Sequence, residues 1–203
     1  MKKLLTPAAF LLILILSGFK GGEEKKSPPE EQIKWYTFQE AYNLNKTKPK
    51  KIFIDVYTDW CGWCKKMDAY TFKDQRVIKL MNKYFYAVKL DAEMKDTVRM
   101  DSAQFVNPNP NGMRSTHQLA SALLNNQMSY PTTVYLNEKF GLLSQPVPGY
   151  QTPESIEPIM VFLGEELFNK QTWEEFMKTY KPGGDIKTNK TDENIKTDKP
   201  IKH

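Results

Sequence analysis

Cys61-Gly62-Trp63-Cys64 contains the only two cysteines in this chain, and their spacing is that of a dithiol able to open and close. A thiolate, not a thiol, is the attacking species, and a free cysteine with a pKa of about 8.5 is mostly protonated at neutral pH. The residues before the pair, Ile52, Phe53, Ile54, Val56 and Tyr57, form a short apolar run of strand length. Those after it, with Met67, Tyr70 and Phe72 on an inward face, read as a helix. Cys61 is thereby expected at a helix N-terminus, where unpaired N–H groups and the positive end of the helix dipole favour the thiolate. There a Cys-x-x-Cys pKa falls to roughly 3.5–7.5. Cys61 is then the nucleophile, and Cys64, one turn on and less exposed, the resolving thiol that attacks the mixed disulfide and frees the partner. A static disulfide is the bland alternative, but closing so short a loop gains little chain-entropy stabilisation. Covalent haem attachment requires a histidine after the second cysteine, where Lys65 stands. A structural zinc site requires four ligands, and the histidines number two, His117 and His203, so no metal site is expected.

The wider segment Asp55-x-Tyr57-x-Asp59-Trp60-Cys61-Gly62-Trp63-Cys64-Lys65 resembles the active-site segment of the thioredoxin superfamily. It is most similar to the periplasmic C-terminal domain of DsbD-type thiol:disulfide interchange proteins. The similarity continues through Tyr70-Thr71-Phe72-x-Asp74-x-x-Val77 and Val88-Lys89-Leu90-Asp91, and returns at Tyr130-Pro131-Thr132. The resemblance implies an α/β thioredoxin-like fold, a central mixed sheet flanked by helices, with an insert before the cis-proline strand. It implies that Asp55 is the buried acid that relays a proton as Cys64 becomes a nucleophile, and flanking Ile54 and Val56 would raise its pKa by desolvation. Lys89 matches that acid's lysine partner. Asp68 falls where the DsbD-type domain has a second acid, there a longer glutamate. Pro131 matches the cis-proline, with Tyr130 offering its backbone to an extended substrate. Gly149 matches a glycine of the same groove, which Trp60, Gly62 and Trp63 would line beside the sulfur. The Trp63 position departs from the proline of thioredoxin's own motif, and residues between the cysteines tune the potential in this superfamily. No cofactor beyond the Cys61–Cys64 pair is implied.

The elements that must place these residues are legible around them. Thr37 with Glu40 is a capping box opening a helix through Phe38, Ala41, Tyr42 and Leu44, after a short strand within Ile33–Tyr36. Asp74 is placed to cap a helix carrying Val77, Ile78 and Met81, and Phe85–Asp91 reads as a second buried strand. Parallel, right-handed crossovers follow from this β-α-β order. Residues 92–130 form the insert, about twice the family's simplest length, with a strand or hairpin arm at Gln104–Val106 and turns from Asn107 to Gly112. Ser115 or Thr116 would cap a helix through Leu119 and Leu124, and the insert reads as a solvated loop, with part of a substrate-facing surface beside the dithiol as the functional alternative. Thr132–Leu136 is a strand, the turn Asn137–Gly141 follows, and Leu142–Val147 is expected to pair back with Pro146 at an edge. Thr152-Pro153 starts an apolar helix in which Pro158 is acceptable only in the first turn, and Thr172 with Glu175 boxes a last one.

Outside a domain at residues 33–180, the ends carry the charge. Residues 1–22, with Lys2-Lys3 ahead of the apolar run Ala8–Leu16, read as a signal peptide; an uncleaved N-terminal anchor is the alternative. Residues 23–32 read as a linker and 181–203 as a disordered lysine-rich tail. The net charge of +5 is accounted for by Lys2, Lys3 and Lys20 together with a tail holding six lysines against Asp185, Asp192, Glu193 and Asp198. The domain between is near neutral, and no basic stripe suggests nucleic acid. The expected protein is therefore an exported, periplasmic thiol:disulfide oxidoreductase, soluble or N-terminally anchored. It would act on disulfide- or thiol-bearing proteins, in the reductive direction, with a separate membrane or soluble electron donor. The alternatives are an oxidase or isomerase, or a non-catalytic binding module on the same scaffold.

Overall fold

A computed structural model describes residues 31–101 and 103–183. The proposed signal peptide, most of the linker and all of the tail beyond Gly183 lie outside them. The chain opens with β1 (Trp35–Tyr36), α1 (Phe38–Asn45), β2 (Lys51–Tyr57), α2 (Gly62–Ala69), α3 (Gln75–Tyr84) and β3 (Phe85–Asp91). The insert contributes β4 (Val98–Met100), β5 (Ala103–Phe105) and α4 (Gln118–Leu123). It closes with β6 (Thr132–Leu136), β7 (Val147–Pro148), α5 (Pro153–Gly164) and α6 (Trp173–Thr179).

The main sheet runs β1-β3-β2-β6-β7, with β1, β3 and β2 parallel and β6 and β7 antiparallel to their neighbours. This is the mixed sheet of a thioredoxin-like α/β fold. β2 sits at its centre, and the alternation of side chains along a strand divides the core in two. Ile52, Ile54 and Val56 face a layer built on α1 and α4, with Val88, Leu90 and Val134 from the neighbouring strands. Phe53 faces the other layer with Phe85, Ala87 and Tyr135, under α2, α3, α5 and α6. Asp55, two residues past Phe53, therefore points toward the helix that carries the cysteines, and Lys89, two past Ala87, lies beside it in register.

Both capping boxes form, at Thr37/Glu40 and Thr172/Glu175, and Asp74 caps α3 through the N–H groups of Arg76 and Val77. Other expectations need correction. Tyr70 is not inward: α2 ends at Ala69, the chain tightens into a 3₁₀ turn at Thr71–Lys73, and Tyr70 is left 64 % exposed while Phe72 is buried. His117, not Ser115 or Thr116, caps α4. Leu142–Val147 does not form one strand; a single bridge joins Leu142 to Leu136, and pairing resumes only at β7. Pro158 lies beyond the first turn of α5. Its missing N–H leaves the carbonyl of Glu154 without a helical partner, which is tolerable because Glu154 is exposed. Among the described residues, no helix is long and apolar enough to cross a membrane.

Candidate active site

β2 ends at Tyr57, and the turn that follows is closed by the Cys61 N–H donating to the Thr58 carbonyl at 3.1 Å. Cys61 is the N-cap of α2: its Sγ accepts from the Cys64 N–H at 3.1 Å, in the place that a serine or aspartate oxygen takes at other helix starts. The same geometry that caps the helix aims the Cys64 N–H at the sulfur, at the helix end whose dipole favours a thiolate. Cys61 and Cys64 form a disulfide with an S–S length of 2.06 Å. The first cysteine is more recessed than its proposed role suggested, retaining 5 % of its surface against 1 % for Cys64. Both residues are buried in the disulfide, Cys61 slightly less so than Cys64.

Asp55 is fully buried beneath this helix. One carboxylate oxygen accepts from the Lys89 Nζ at 2.6 Å; the other has no hydrogen-bond partner among the described residues. Burial pushes the Asp55 pKa up to about 6 against the opposing pull of the Lys89 ammonium. Lys89 also donates to Asp68 on α2, so the shorter acid does reach the site. Burial draws the Lys89 pKa down, but Asp55 and Asp68 outweigh it and hold the ammonium above its ordinary value. Lys89 additionally lies over the ring of Tyr57 at 4.8 Å, which fixes a flexible side chain between the acids.

The Tyr130–Pro131 peptide is cis. Register places it at the sulfur end of the sheet, because Val56, one residue from the end of β2, pairs with Thr132. Gly149 donates its N–H to the Pro131 carbonyl at 2.8 Å from a φ of +91°, a conformation that favours glycine. Trp60 and Trp63 are 53 % and 57 % exposed, so both stand on the surface rather than in the core. Trp60 meets Tyr130 edge-on at 5.9 Å, donates its indole N–H to Glu93 at 3.1 Å and lies under the Arg114 guanidinium at 5.1 Å. Trp63 packs on Tyr150 at 5.5 Å, with the Lys66 Nζ over both rings at 4.8 and 5.3 Å. Gly62 faces open space, so a side chain there would meet nothing in the closed disulfide.

Glu93, Arg114, Lys66 and Tyr150 escaped the sequence reading. Only Tyr150, adjacent to Gly149, carried a local hint. Glu93 and Arg114 belong to the insert, which is pinned by two buried polar side chains. Asn107 donates to the carbonyls of Glu93, Met94 and Ser115 and accepts from the Asn109 N–H and the Ser115 hydroxyl. His117 accepts the Leu119 N–H at Nδ1 and faces the Asp96 carbonyl from Nε2 at 3.0 Å. We expect Asn107→Ala to destabilise the insert by about 2–3 kcal/mol, since several part-buried groups lose their partners together. Limited proteolysis should then cut within residues 92–116 while α3 and α5 stay protected, and an unchanged cleavage pattern would contradict this.

Among the described residues, no group of three or more His, Cys, Asp or Glu side chains is placed to hold a metal. The family model Thioredox_DsbH, described as "Protein of unknown function, DUF255", matches residues 25–144. Spermatogenesis-associated protein 20 of Mus musculus is 31 % identical over 81 residues, 39 % of this chain and 10 % of that protein. The thiol:disulfide interchange protein DsbD of Escherichia coli O6:K15:H31 (strain 536) is 28 % identical over 82 residues, 38 % of this chain and 14 % of that protein. The chain thus spans a small fraction of these relatives' length. A solved structure called DsbH Oxidoreductase aligns with a TM-score of 0.42 and 17 % identity, covering 63 % of this chain and 82 % of that one. With 120 matched residues out of 203 and a Cys-x-x-Cys pair at the head of the helix that follows its central strand, the chain belongs to the thioredoxin-like DsbH family.

Proposed function

We propose that this chain is an exported thiol:disulfide oxidoreductase that reduces disulfides in periplasmic proteins. The observation that carries the reading is the position of the Cys61 sulfur: it caps α2, is the less enclosed of the pair, and lies at the same sheet end as the Tyr130–Pro131 turn. In the reduced protein the Cys61 thiolate attacks one sulfur of a partner disulfide. The S–S bond breaks, the partner's other sulfur leaves as a thiolate and takes a proton from solvent, and a mixed disulfide remains. Cys64 then loses its proton and attacks Cys61, releasing the partner's second thiol and leaving the Cys61–Cys64 disulfide. Two electrons have passed to the partner. Asp55 receives the Cys64 proton, for which its unpaired oxygen and a pKa of about 6 suit it, and Lys89 and Asp68 hold its charge in place. Trp60, Gly62, Trp63, Tyr130, Pro131 and Gly149 form the face against which the partner's chain lies.

In this scheme the electrons pass through the Cys61 and Cys64 sulfurs, and Asp55 handles the proton. Regenerating the dithiol requires a separate membrane or soluble electron donor. Export is supported by the charged and apolar N-terminal pattern, and thiol:disulfide interchange by the similarity to DsbD. Equilibration against glutathione tests direction. A reductase should have a potential below about −200 mV, and a value near −120 mV would make it an oxidant instead.

A further inference from the structure

Two cations lie over aromatic rings beside the dithiol. Arg114 lies over Trp60, the residue before Cys61, and Lys66 lies over Trp63, the residue before Cys64, and over Tyr150. Neither has an ion-pair partner among the described residues; both are exposed, unlike the more buried Lys89, Lys51 and Arg76, which pair with two, two and three acids. On the Trp60 side, Glu93 accepts the indole N–H at 3.1 Å and keeps its charge at the edge of the ring. Each cation is held by a ring face, which fixes its position without neutralising it. Each exposed tryptophan thus carries a cation fixed on its ring face, with the Glu93 carboxylate at the edge of Trp60, on a domain whose overall charge is near neutral.

We infer that these ring-held cations select disulfide partners carrying acidic side chains next to the reactive cysteine, in an extended segment laid along the Tyr130–Pro131 turn. The inference rests on the thiol-exchange reading above and adds its substrate class. An incoming carboxylate on either flank of the partner's cysteine would meet a prepositioned cation on a partly dehydrated aromatic surface, where the attraction exceeds that between two fully solvated groups. Glutamate or aspartate flanks would therefore speed attack, and lysine flanks would slow it.

The test uses the full chain with Cys64→Ser, so that reaction stops at the mixed disulfide. The probes are three short peptides, each with one cysteine bonded to thionitrobenzoate and flanked by glutamate, glutamine or lysine. The Cys61 thiolate attacks the peptide sulfur, the S–S bond breaks, and thionitrobenzoate leaves as its coloured thiolate. Each rate is divided by that of 2-mercaptoethanol with the same peptide, which removes the peptide's intrinsic reactivity. The normalised glutamate-to-lysine ratio should be about five- to tenfold at low salt and approach one at high salt. It should collapse to within about twofold in Arg114→Gln/Lys66→Gln and persist in Arg114→Lys/Lys66→Arg. A ratio near one at low salt, or a high ratio surviving in the glutamine variant, overturns the selection while leaving thiol exchange standing. Failure of all three peptides to react with Cys61 overturns the thiol-exchange reading, and the selection with it.

Discussion

Cys61→Ser should lower disulfide reduction by at least about a thousandfold, because the attacking atom itself is removed and a serine hydroxyl is scarcely ionised at neutral pH. Cys64→Ser should fail differently. Attack by Cys61 still occurs, but nothing resolves the product, so partner proteins accumulate in covalent complexes that survive denaturing gels and dissolve on adding dithiothreitol. This asymmetry follows from the geometry: Cys61 caps α2 and is the slightly less buried residue, whereas Cys64 lies a turn inside with its backbone N–H turned to the first sulfur. Equal loss in both variants with no trapped species would contradict the assignment. Retention of partner binding in both, with no catalysis in the parent, would identify a binding module instead.

Asp55→Asn carries the second large effect, and it acts in opposite directions on rate and stability. The Asp55 pKa is raised from 3.8 to about 6 in the fold, so the folded state holds this proton more tightly than the unfolded chain. The associated stabilisation is fully present below pH 4 and is lost as pH rises through 6. The loss amounts to about 3 kcal/mol. An uncharged asparagine escapes this loss. Asp55→Asn should thus be more stable than the parent above pH 7 by up to about 3 kcal/mol, with the difference vanishing near pH 4, as read from urea midpoints. Over the same range, release of partner from a preformed mixed disulfide should slow by about a hundredfold at pH 7, and the ionisation near pH 6 should disappear from its pH profile. Equal stability at pH 7 and pH 4 relative to the parent would show that this carboxyl is not raised. An unaltered release rate would remove it from the proton path.

Much of this site was legible because its signals are local. The strand, the Cys-x-x-Cys turn and the following helix occupy one continuous stretch, whereas Asp55 and Lys89 were matched through the resemblance to the DsbD-type domain, and their strand register sets them side by side. The two capping boxes and the Asp74 cap are set by residues within three positions of each other. What escaped depends on distant parts of the chain or on unusual use of a residue. An imidazole rarely serves as a helix cap, so His117 passed unnoticed beside Ser115 and Thr116. Val98–Met100 is too short to show alternation, yet it pairs with the expected arm as β4 against β5. Tyr70 was placed inward by extending a helical period past the point where the helix ends. Arg114 and Glu93 converge on Trp60 only because the insert folds back, guided by Asn107 and His117, and no spacing between positions 60, 93 and 114 encodes that meeting.

The central claim is that the Cys61 sulfur ionises easily and can be reached. The most direct measurement is the rate of iodoacetamide alkylation of the reduced protein between pH 4 and pH 10, with the modified residue identified by mass spectrometry. The account expects Cys61 to react well before Cys64, with a midpoint of about 7 or lower. A midpoint of about 8.5 or higher, or modification that begins at Cys64, would contradict it.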